Sequence, residues 1–214
     1  MDENLPFGAS NSIATTGETF PEVGASLPRR GNRFTRLVTR LLLALVGWRV
    51  VGAIPDIPKM LLIGAPPTSN WDFILTLATM FALGVRFSWM AKDSVFRWPI
   101  AGLMRWLGGV PVNRRSSQGY VEQVTEQFQQ RKTFLLAITP EGTRQAVAKW
   151  RSGFYHMAQS AGVPILLVAF DFGAKAVRLG PLFIPSGDYT ADLHLIQSYY
   201  AGIRGKFPQQ AVVS

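Results

Sequence analysis

Hydrophobic and polar positions change period along the chain, and the changes divide it. Residues 33–49 (RFTRLVTRLLLALVGWR) repeat Leu37, Leu41, Leu45 and Trp48 at helical spacing. Val38, Leu42 and Val46 lie beside them, and Arg33, Arg36 and Arg40 extend the polar side. From residue 60 onward, short apolar runs alternate with helical stretches. The runs Met60–Ala65, Arg86–Ala91, Val110–Val112, Thr133–Ile138 and Pro164–Phe170 predict strands, with a further short one over Ala176–Leu179. Helices are predicted over Asp72–Gly84, Ser94–Leu107, Gln118–Arg131, Gly153–Ala161 and Asp188–Gly202. The helix at Asp72 follows Thr68, Ser69 and Asn70, all capping residue types. This alternation predicts a single α/β domain with a mostly parallel central sheet flanked by helices, preceded by an N-terminal amphipathic helix.

The expected organisation is a disordered tail over residues 1–30, a basic amphipathic membrane-associating helix and linker over 31–59, the α/β domain over 60–207, and a short tail over 208–214. The N-terminal stretch is rich in Gly, Ser, Thr, Glu and Pro and has no apolar period. Its acidic start does not read as a secretory signal. The helix at 33–49 has two readings. Its apolar side packs on the domain, or it lies on an anionic membrane with its arginines at the headgroups. Its apolar stretch Leu41–Val46 is too short to span a bilayer.

Composition narrows the function classes. The chain has 214 residues, 48% of them hydrophobic and 16% charged, which is ample material for a core. It has no cysteine, which excludes disulfides, thiolate metal sites and a Cys nucleophile, and only two histidines. The formal net charge is +9, unevenly spread. Residues 1–28 carry four acids and no Lys or Arg, and residues 29–59 carry seven bases against Asp56 alone. A basic surplus draws phosphate-bearing partners. No clustered base-reading helix or nucleic-acid module is present, so nucleic acid is not an expected partner.

Three loops follow strands, where ligands of such sheets gather. They are Gly64–Phe73, Gly108–Arg115 and Ile138–Arg144. The third contains Pro140-Glu141-Gly142-Thr143-Arg144. Together with Gly109 and Arg114, Val163-Pro164-Ile165 and the run Thr68-Ser69-Asn70-Trp71-Asp72, the chain resembles the glycerolipid acyltransferase family, in a small bacterial-like branch. The resemblance runs from about residue 36 to 205.

The resemblance implies transfer of a fatty acyl group from acyl-CoA or acyl carrier protein to the hydroxyl of glycerol 3-phosphate or a lysophospholipid, in phospholipid biosynthesis. It implies Asp72 as the catalytic carboxylate and Arg114, Glu141, Gly142, Thr143 and Arg144 as substrate-binding residues. It calls for no metal and no cofactor beyond the acyl donor, and for a peripheral place on the cytoplasmic face of the cell membrane. The family's first motif is His, four residues, Asp, and the histidine position here holds Pro67. In the family that His takes the proton of the acceptor hydroxyl, and the Asp orients it. Proline has no titratable group, so activity is expected to be impaired. The alternative is a catalytically inactive relative that still binds lipid or acyl donor.

Other residues carry weaker expectations. His156 is read as a partly buried structural histidine, and His194 as solvent-facing. Lys149, Trp150 and Arg151 are read as a solvated loop, with contact to headgroups or to pantetheine phosphates as the alternative. Most of the six tryptophans are expected in the core; a subset with Arg97 and Arg105 would make a membrane-docking face.

Overall fold

The computed structural model describes residues 20–66, 69–113, 119–140 and 150–207. In chain order the elements are α1 (Arg33–Leu45), β1 (Arg49–Gly52), β2 (Lys59–Ala65), α2 (Trp71–Leu83), β3 (Ser88–Lys92), α3 (Ala101–Trp106), β4 (Gly109–Val112), α4 (Tyr120–Gln130), β5 (Phe134–Ile138), α5 (Gly153–Ala161), β6 (Ile165–Asp171), β7 (Ala176–Phe183) and α6 (Tyr189–Tyr200). The seven strands form one sheet in the order β1-β7-β6-β2-β5-β3-β4. Only β6 and β7 pair antiparallel, and every other neighbouring pair is parallel. The predicted α/β architecture with a mostly parallel sheet is the one observed.

Side-chain alternation along β2 builds two cores. Leu61, Ile63 and Ala65 face α4, α5 and α6, while Met60 and Leu62 face α1 and α2. Central strands buried on both faces read as continuous apolar runs, which is why β2, β5 and β6 are plain in the sequence.

Four expectations need correction. The segment assigned as a linker contains β1, which joins the sheet edge beside β7. Gly52 makes that pairing possible, because at its φ of +97° a Cβ would lie 1.9 Å from the Leu179 carbonyl oxygen. Residues 20–30, expected as part of a disordered tail, lie on the domain. Leu27 is buried, Arg86 N–H donates to Pro28 O, and Ser26 N–H donates to Asp56 Oδ1. The helix expected over Ser94–Leu107 is broken into a 3₁₀ turn at Asp93–Val95 and the six residues of α3. Pro99 explains the break, since proline lacks the N–H that a helix interior requires. Finally, only Trp150 of the six tryptophans is fully buried, whereas Trp71, Trp98 and Trp106 are exposed.

Helix α1 has its polarity reversed. Phe34, Leu37, Val38, Leu41, Leu42 and Leu45 form one stripe, and all are exposed. The side toward α2 carries Thr35, Arg36, Thr39 and Arg40, with Leu43 the helix's one buried residue. Arg40 Nε donates to Ala82 O at the end of α2, and its guanidinium lies 4.7 Å from the Phe20 ring centre. A surface helix ordinarily turns its apolar stripe to the core.

Candidate active site

A cavity of about 1030 Å³ lies at the carboxyl ends of β2, β3 and β5, at the upper end of the size range of small-molecule sites. Its mouth is polar. Ser69 and Asp72 come from the start of α2, Lys92 from the end of β3, Asn113 from the end of β4, and Thr139, Arg151 and Ser152 from the segments flanking the third loop. Its inner part is apolar and runs between α2 and the sheet. Thr76 and Thr79 line one side, and Leu62, Gly64, Phe87, Val168, Phe170, Val177 and Leu179 the other.

Gly64 keeps this inner part open. Its missing Cβ would stand 2.8 Å from Phe170 Cε2. Gly109 has a different reason to lack a side chain. A Cβ there would lie 2.8 Å from Met104 O and 2.9 Å from the Phe96 ring, so it is required by packing against α3.

Asp72 stands in the first turn of α2 and is only 5% exposed. Its Oδ2 accepts the Ser69 N–H at 2.7 Å, while Ser69 Oγ accepts the Trp71 N–H at 3.2 Å. These two bonds satisfy N–H groups at the start of α2 and set the carboxylate at the cavity mouth. Of the expected capping types Thr68, Ser69 and Asn70, Ser69 supplies a bond to the helix start, Asn70 makes no side-chain cap bond, and Thr68 lies outside the described residues.

Three helix N-termini line this one cavity: those of α2, α4 and α5. Backbone N–H groups and the helix dipole make each a positive end. Asp72 offsets the first. Glu122 offsets the second, its Oε2 accepting the Gly119 N–H at 3.1 Å. Helix α5 has no acid in its first turn and no side-chain cap, and Arg151 stands just before it. With Lys92 across the mouth, this end of the cavity favours an anionic group.

The N-terminus of α5 is held by a buried polar network. Asp192, 2% exposed, accepts from Tyr155 Oη at 2.7 Å, from Ser186 N–H at 2.7 Å and from Ser186 Oγ at 2.8 Å. Burial, reinforced by the Asp192 carboxylate, pushes the Tyr155 phenol above its usual range. It therefore stays a protonated donor, and α5 is tied to the start of α6. This network had no motif to announce it.

Of the residues singled out in the sequence, Asp72 is at the cavity. Pro67, Arg114, Glu141, Gly142, Thr143 and Arg144 lie outside the described residues. The residues flanking two of these segments do line the cavity: Asn113 and Gly119 on either side of 114–118, and Pro140 just before 141–149 with Arg151 just beyond it. His156 is exposed rather than partly buried, with its ring 6.3 Å from that of Tyr189, and His194 is exposed as expected. Trp150, assigned to a solvated loop, packs among Phe154 and Tyr200 instead. Among the described residues no group of three or more His, Asp or Glu side chains is placed to hold a metal ion.

Comparison with known proteins bears on the family and the fold. The family profile described as Acyltransferase matches residues 60–171. The chain belongs to that family. It is 29% identical over 100 residues to the 1-acyl-sn-glycerol-3-phosphate acyltransferase of Escherichia coli (strain K12), a stretch covering 44% of this chain and 40% of that relative. The fold is similar to the crystal structure of the 1-acyl-sn-glycerophosphate (LPA) acyltransferase PlsC from Thermotoga maritima. That likeness has a TM-score of 0.54 at 15% identity and covers 81% of this chain and 80% of that one.

Proposed function

We propose that this chain is a glycerolipid acyltransferase whose cavity takes a fatty acyl chain from acyl-CoA or acyl carrier protein and an acceptor bearing phosphate. The acceptor is glycerol 3-phosphate or a lysophospholipid. The observation that carries this reading is the cavity's division into an apolar channel beneath α2 and a mouth where the N-terminus of α5, which has no acid in its first turn, meets Lys92 and Arg151. The channel suits an alkyl chain and the mouth suits a phosphate.

In the reaction, the acceptor hydroxyl oxygen attacks the thioester carbonyl carbon. The C–S bond breaks, the thiol leaves, and the hydroxyl proton must be taken up. The positive N-terminal end of α5 stabilises the developing oxyanion. Arg114 and Arg144 supply planar guanidinium groups matched to phosphate, and Glu141 orients Arg144 or an acceptor hydroxyl. Gly142 and Thr143 belong to the same substrate-binding motif. Asp72 is the carboxylate that would orient a base.

Pro67 stands where that base belongs. A positioned general base contributes about 10²–10⁴-fold, so the chain works at a correspondingly low rate. Pro67 also favours a second reading, a relative that binds lipid or acyl donor without turning it over. In either case α1, within residues 31–59, docks the domain peripherally on an anionic membrane, on its cytoplasmic face. The reversed polarity of α1 supports this, because an outward apolar stripe with flanking arginines matches a bilayer interface. No helix among the described residues is long and apolar enough to cross a membrane.

The test compares the parent with Pro67→His in a thiol-release assay, using acyl-CoA and acyl carrier protein donors against both acceptor classes. The transferase reading expects a weak parent and a gain of about 10²–10⁴-fold on restoring the base. Retained lysolipid binding with no turnover by either protein decides for the binding relative. Folded protein that neither binds nor reacts contradicts both.

A further inference from the structure

Residues 93–106 carry the most exposed large apolar side chain among the described residues: Trp98, at 92%. Ile100, Leu103 and Trp106 are also about half exposed or more. Only Phe96 of this segment reaches the core, stacking 6.3 Å from Trp89. The segment therefore leans on the domain through Phe96 and through Trp106, whose ring lies 5.9 Å from that of Phe81, and turns Trp98, Ile100 and Leu103 outward. Arg97 and Arg105 are exposed among them. It follows directly on Lys92, which lines the cavity mouth.

Arg30 ties this surface to the chain that leads into α1. Arg30, three residues before α1, lies over the Trp106 ring at 4.5 Å and the Phe81 ring at 5.1 Å, and it donates to Trp106 O. The end of α3 thus abuts the start of α1, where Phe34 is exposed. Exposed tryptophan beside arginine and aliphatic groups is interfacial chemistry. A second copy of the chain would bring Arg30, Arg33, Arg97 and Arg105 against themselves, a like-charge contact that disfavours self-association. An anionic bilayer meets the same arginines with opposite charge.

We propose that segment 93–106 is a second membrane-docking element, which inserts Trp98 and Leu103 into the same anionic bilayer that receives α1. Two contacts on one surface fix the orientation of the domain. They hold the cavity mouth at Lys92 against the leaflet, so that a lipid acceptor enters from the membrane side. The inference rests on the reading of α1 as a membrane-lying helix.

The test is sedimentation of the full chain with phosphatidylglycerol–phosphatidylcholine vesicles. Three proteins are compared: the parent, Trp98→Ser with Leu103→Ser, and Leu41→Ser with Leu45→Ser. Each pair is expected to weaken vesicle affinity about tenfold or more, from lost apolar insertion. Parent-level affinity in the Trp98/Leu103 pair overturns the proposal. If the Leu41/Leu45 pair still weakens binding there, the reading of α1 survives alone. Brominated-chain lipid provides a readout in the undisturbed fold: quenching should fall in Trp98→Phe, and unchanged quenching counts against insertion. A lipid-free dimer that Trp98→Ser abolishes also overturns the proposal, in favour of a second copy as the occupant.

Discussion

Helices α1 and α4 are both amphipathic, and they face opposite ways. In α4 the apolar residues Val124 and Phe128 are buried, while Glu122, Glu126, Gln129 and Gln130 meet solvent. In α1 the apolar residues meet solvent, and Thr35, Arg36, Thr39 and Arg40 turn inward. The polarity of α4 is explained by the core it helps to build. That of α1 is not explained by any core; on the proposed reading the stripe meets a bilayer, since exposed apolar stripes of this extent mark interaction surfaces. The same distinction separates the sheet's two sides: one is covered by α4, α5 and α6, and the other carries both the apolar inner part of the cavity and the outward stripe.

Truncation should separate the two helices sharply. Phe128→Ala removes a ring 4.8 Å from Phe134 in the sealed core and is expected to lower unfolding free energy by about 3–5 kcal/mol in urea titration. Leu41→Ser with Leu45→Ser should move it by only about 0.5 kcal/mol per site, since neither side chain leaves a cavity. A large stability loss in the α1 pair would break the comparison.

Asp192→Ala sharpens it from the sealed side. Removing this carboxylate leaves Tyr155 Oη and the Ser186 donors without their acceptor, at a cost on the order of 3 kcal/mol. Thermal unfolding reads the loss. A mild substitution would mean that α5 is held by packing alone.

Gly64→Ala probes the channel. The added methyl meets the Phe170 ring and is expected to cost about 1–3 kcal/mol. It should also shift donor preference toward shorter acyl chains, measured as kcat/KM across a donor series in the Pro67→His background. An unchanged preference would remove the acyl chain from this channel.

Much of the sheet was legible because β2, β5 and β6 are buried on both faces and read as unbroken apolar runs. Strand β1 was not, being four residues with no alternation next to a helix. The break before α3 was written in Pro99 but masked by the apolar residues around it. Asp72 was legible through its motif position. The channel was not, because Leu62, Val168 and Leu179 come from three separate strands and meet only in the fold. For α1 the stripe itself was plain in the spacing. Its direction was not, since that depends on what α2 offers: a carbonyl at Ala82 for Arg40.

The most direct test of that direction uses the chain's lack of cysteine, which makes single-site spin labelling unambiguous. Labels at Leu41→Cys on α1 and Glu126→Cys on α4 are compared with and without phosphatidylglycerol vesicles. The label on α1 should lose access to a water-soluble relaxation agent and gain access to oxygen, while the label on α4 stays unchanged. Equal aqueous exposure of the α1 label with vesicles present would contradict the account.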